Sequence, residues 1–89
     1  MKAIITVLGK DQVGIMYQVS KVLNDNHVNI EDVTQTIMQD YFTMLMLVKL
    51  DETASSFEKV RQALHDLGQK NGLSIHIQKE EIFDTMHKI

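Results

Sequence analysis

The chain has no cysteine, a single arginine and no run of basic residues. Without cysteine there can be neither a disulfide nor a thiolate metal cage, the staples on which small secreted domains generally depend. The expected location is therefore the cytoplasm. Nine Lys plus Arg against twelve Asp plus Glu, a net charge of −3, disfavour a protein whose work is to neutralise nucleic-acid phosphates. Long apolar runs are missing too. The N-terminal stretch reaches only Leu8 before Gly9 and Lys10 interrupt it, too short for a signal-peptide core or a membrane span.

What is present is enough for one domain. The 89 residues are 44% hydrophobic and 24% charged, the balance of an ordinary globular domain. A chain of this size buries roughly 64% of its unfolded surface on folding, which leaves a thin core.

Ala3 to Leu8 is β-branched and apolar apart from Thr6, and Gly9 follows it. It reads as a strand covered on both faces and ended by the glycine. Ile15, Met16, Val19, Val22 and Leu23 then recur at helical spacing, with Asp11 as the expected N-cap and Asn24-Asp25-Asn26 as the stop. From Val28 alternation returns, but the apolar set jumps parity between Ile30 and Val33. A period of two cannot slip by one without an irregularity, so a bulge is expected at Glu31-Asp32. Gln39-Asp40 makes a tight connection to Tyr41–Leu50. That strand has one wholly apolar face, Phe42, Met44, Met46, Val48 and Leu50, and a second that is apolar only in its middle.

Ser55 with Glu58 reads as a capping box opening a helix with the stripe Phe57, Val60, Ala63, Leu64 and Leu67, stopped at Gly68 or at Asn71-Gly72. Leu73, Ile75 and Ile77 alternate with Ser74, His76 and Gln78, as an edge strand would. Glu80 to Ile89 spaces Ile82, Phe83, Met86 and Ile89 as a short helix that needs a surface to pack on. The order βαββαβ predicts an α+β ferredoxin-like sandwich, a four-stranded antiparallel sheet with two helices on one face and a short C-terminal helix. Right-handed crossovers put the first and third strands in the centre. Ile4, Thr6, Leu8, Thr43, Leu45 and Leu47 then lie on a face that only the tail or a second subunit can cover.

Several chemistries can be set aside. An acylphosphatase-like phosphoryl site needs an arginine after the first strand, and Arg61 is the only one. Stacking aromatics for RNA would need basic surroundings that Tyr41 and Phe42 lack. Gly9 and Gly14 have P-loop spacing, but Ile15-Met16 stands where Lys and Ser or Thr belong. His27, His65, His76 and His87 include no i, i+4 pair for zinc, and no serine has a histidine that the sequence can assign to it. No catalytic residue, no metal site and no cofactor is expected, so the chain is not read as an enzyme. One local feature is left: Gly9 to Ile15 joins a central strand to a helix N-terminus, a position able to hold a carboxylate on backbone amides. The same glycines could equally serve only to turn the chain.

Gly9-Lys10-Asp11 with Gly14-Ile15, the apolar helix ending in Leu23, His27-Val28-Asn29-Ile30, Thr34-Gln35-Thr36 and Phe42-Thr43-Met44 together resemble the ACT domain. The resemblance runs from Lys2 to about Lys79, and is greatest to small stand-alone bacterial ACT-domain proteins and to the modules of the glycine-cleavage transcriptional repressor. The division it implies is an ACT domain at 1–79 and a helical tail at 80–89. It further implies a regulatory module, often a homodimer, that binds an amino acid at a subunit interface. Carried onto this chain, Asp11, Val13, Gly14 and Ile15 would form one wall, and Asn29 and Ile30 of the partner subunit the other. Read as standing alone, the chain would pass its state to a separate regulated protein, with neither nucleic acid nor membrane as partner. A subunit that binds no ligand and serves only structure or protein interaction is the alternative.

Overall fold

The computed structural model describes residues 1–10 and 14–81. Its elements run β1 (Lys2–Lys10), α1 (Ile15–Asp25), β2 (Val28–Met38), β3 (Tyr41–Leu50), α2 (Phe57–Asn71) and β4 (Ser74–Lys79). All four strands form one antiparallel sheet in the order β2-β3-β1-β4, so the two most apolar strands are central, as their composition requires. The fold is the expected ferredoxin-like α+β sandwich.

The core lies between the sheet and the two helices. Ala3, Ile5 and Val7 of β1 and Met44, Met46 and Val48 of β3 are fully buried there, beneath Val19 and Leu23 of α1 and Val60 and Leu64 of α2. The opposite face is less covered than expected for β1. Ile4, Thr6 and Leu47 are half-buried, while Leu8 and Leu45 remain 46% and 39% exposed. Of the expected tail helix, 80–89, Glu80 and Glu81 are helical, and 82–89 lie outside the described residues.

Local rules explain most element ends. The bulge is where parity demands it: β2 pairs with β3 in one register to Ile30↔Val48 and in another from Asp32↔Leu47, with Glu31 as the extra residue. It keeps Val33 on the core side together with Val28 and Ile30. Gln39-Asp40 closes the hairpin, with Gln39 in the left-handed region at φ 56°. Gly72, at φ 68°, ends α2 and donates its N–H to the carbonyl of Gly68.

Three expectations are corrected. Gly9 does not end β1; it lies within the strand opposite Phe42, where a Cβ would press on the tip of the Leu73 side chain. The N-cap of α1 is Gly14, at φ 90°, and not Asp11. Ser56 rather than Ser55 caps α2: its hydroxyl accepts the Lys59 N–H at 3.1 Å, while Glu58 pairs with Arg61. Ser55 is buried and donates to Asn26 Oδ1 at 3.4 Å, which ties the end of α1 to the start of α2.

Candidate functional site

Gly14 stands where β1 hands over to α1. Its positive φ admits glycine at no steric cost and disfavours every side chain, although nothing lies within 4 Å of where a Cβ would be. Among the described residues no side chain caps α1, and no acid occupies its first turn, so the positive end of the helix dipole is not offset by the helix's own residues. Ile15 is 2% exposed and packs in the core, anchoring the loop's exit. Asp11 and Val13 lie outside the described residues. One turn on, Gln18 Oε1 is buried with no hydrogen-bond partner among the described residues.

Asn29 and Ile30 are at the far end of the sheet. Asn29 is exposed on the open face opposite Lys49, whereas Ile30 faces the helices opposite Val48. The ladder measures the separation: Asn29, Lys49 and Lys2 share one row, while Met38, Tyr41 and Lys10 share the row that leads into the loop. Eight residues of β1 separate these rows, about 26 Å at the usual strand rise. Gly14 and Ile15 therefore do not meet Asn29 and Ile30 within one chain.

Around Asn29 the structure gathers residues that sequence reasoning missed. A recess of about 340 Å³ is lined by His27, Asn29, Lys49, Leu50 and Asp51. His27 makes the turn from α1 into β2 in the left-handed region, φ 59°, which histidine adopts more readily than most residues. Asp51 Oδ1 accepts the Thr53 hydroxyl at 2.5 Å and the Thr53 N–H at 3.0 Å. These bonds hold the Asp51 carboxyl below the usual carboxylate range, the hydroxyl contributing most and the charge of nearby His27 least. The signal for this cluster was the parity of residues on either side of the Val28–Leu50 pair, which becomes legible only once the register is known.

A second recess of about 400 Å³, lined by Met1, Lys2, Glu52, Lys79, Glu80 and Glu81, contains none of the residues singled out from the sequence. Among the described residues no group of three or more His, Cys, Asp or Glu side chains is placed to hold a metal, and no helix is long and apolar enough to cross a membrane. His27, His65 and His76 are all exposed, with His76 Nε2 bonded to the Ser74 hydroxyl at 3.0 Å.

Comparison with known proteins agrees with this architecture. The family model described as the ACT domain matches residues 2–78. A UPF0237 protein of Clostridium acetobutylicum is 53% identical over 89 residues, covering all of both chains. Among solved structures, an ACT domain protein from Streptococcus pneumoniae superposes with a TM-score of 0.81 at 42% identity, over 93% of each chain. The regulatory subunit of aspartate kinase from Thermus thermophilus shares the fold, with a TM-score of 0.70 at 21% identity over 89% of this chain and 51% of that one. ACT domains are in general regulatory modules that bind small ligands. By sequence and by fold, this chain belongs to the ACT domain family.

Proposed function

We propose that the chain is an amino-acid-sensing regulatory module, not itself an enzyme, that works in the cytoplasm as a homodimer and passes its state to a separate protein. The observation that carries this reading is the separation of its two candidate walls. Gly14 and Asn29 lie at opposite ends of one sheet, so one chain holds two half-sites and no whole one. A two-fold pairing of two copies completes both at once.

β2 is the strand suited to that pairing. It is a sheet edge of 11 residues, and Val33 to Met38 carries no charge and no proline to blunt it. Two β2 strands set antiparallel would bring Asn29 of the partner subunit toward the Gly14 end of the first, and the reverse. Backbone amides at the start of α1 would then face a ligand held from the other side by Asn29 of the partner subunit.

The test is a thermal-unfolding screen of the common amino acids with the full chain, joined to sedimentation velocity. A binder present at about 100 times its dissociation constant should add roughly 2.7 kcal/mol to stability, and the protein should sediment as a dimer at micromolar concentration. No shift with any amino acid at millimolar concentration, or a monomer throughout, overturns the reading.

A further inference from the structure

Val28 and Leu50 pair across β2 and β3 and are buried, so the residues flanking that pair emerge on the other face. Asn29 lies directly opposite Lys49, and His27 and Asp51 continue the two strands outward beside them. Four polar side chains thus occupy adjoining positions around one recess. Lys49 and Asp51 carry opposite charges two residues apart, about 7 Å along the strand. From those backbone positions the flexible Lys49 side chain can bring its ammonium to one end of a small zwitterion while the Asp51 carboxylate meets the other.

The neighbouring charges leave these two available. Lys2, in the same row as Lys49, is paired with Glu31 at 3.3 Å, whereas Lys49 makes no ion pair among the described residues. Asp51 gives Oδ1 to Thr53, and no side chain among the described residues bonds its Oδ2. The recess of about 340 Å³ is near the lower limit for ligand sites, room for one amino acid and too little for a dinucleotide.

We propose that this recess reads the head group of a free α-amino acid, with Lys49 taking the carboxylate, Asp51 the ammonium, and Asn29 and His27 flanking them as hydrogen-bonding neighbours. The assignment rests on the reading above, that an amino acid sits between Asn29 of one subunit and the Gly14 loop of the other. All four side chains are exposed in the single chain, and exposed charge pairs are worth little in water. Closure by the second subunit supplies the water exclusion that strengthens them.

Isothermal titration with the full chain tests it, using the strongest binder among the common amino acids, its α-amide and its N-acetyl derivative. Wild type is expected to bind the free amino acid at least tenfold more tightly than either derivative. Lys49→Gln should erase the discrimination against the α-amide and keep that against the N-acetyl compound, while Lys49→Arg retains both. Asp51→Asn should do the converse, and Thr53→Val, which loses the hydroxyl bond but keeps the carboxylate, should bind as wild type does. If Lys49→Gln and Asp51→Asn keep both discriminations, or lose affinity equally for all three compounds, the head-group assignment is overturned while amino-acid binding stands. If wild type binds none of the common amino acids, the reading of the site falls and the assignment with it.

Discussion

The two faces of the sheet are built from the same strands, and alternate residues of those strands meet opposite fates. Met44, Met46 and Val48 of β3 are fully buried under the helices, while between them Leu45 is 39% exposed and Leu47 half-buried. On β1 the same division separates Ile5 and Val7 from Thr6 and Leu8. Hydrophobicity alone does not tell the faces apart, since leucines stand on the open one. What differs is cover: the crossover rule places both helices on one side, and that side becomes the core. The open face mixes leucines with Thr6, Thr34, Thr36 and Thr43, a composition that tolerates water and also suits contact with another surface.

Substitutions measure how deep that division runs. The largest effect is expected on the helix side, where Met46→Ala should cost about 2–5 kcal/mol in urea unfolding, since a fully buried side chain leaves a cavity behind. Gly68→Ala should cost about 1–3 kcal/mol although alanine is the better helix former: its Cβ would meet the backbone carbonyl of Leu73 at 2.7 Å, and backbone gives way poorly. A thermal melt showing stabilisation would mean that α2 and the entry to β4 are packed more loosely than the core beneath them. The smallest effect belongs to the open face, where Leu45→Ser should shift the unfolding free energy of the isolated chain by less than about 1 kcal/mol. A loss matching that of Met46→Ala would erase the distinction between the faces.

Much of this organisation was legible because periodicity is a local signal. The parity jump between Ile30 and Val33 located the bulge, the apolar face of β3 marked the core, and Gln39-Asp40 located the hairpin. The errors have equally physical causes. A cap depends on the backbone angles of one residue, so Ser55 and Ser56 look alike in sequence while only Ser56 meets the Lys59 N–H. Gly9 resembled a strand breaker because glycine so often marks a turn, whereas its pairing with Phe42 and its closeness to Leu73 are set by residues far along the chain. The candidate site was legible in part. The loop that holds Gly14 was singled out by its place before a helix and Asn29 by family resemblance, whereas the cluster of His27, Lys49 and Asp51 follows from which residues share a face.

The extra residue at Glu31 gives β2 something like a reading frame. Upstream of it even-numbered residues face the helices, and downstream odd-numbered residues do. Straightening the ladder while keeping that residue would turn every later side chain over, sending Val33 and Ile37 outward and Thr34 and Thr36 into the apolar layer. Deleting Glu31 would instead leave Ile30 and Val33 on one face of a regular strand, so an alignment of related chains can place a gap there without changing which β2 residues face the helices.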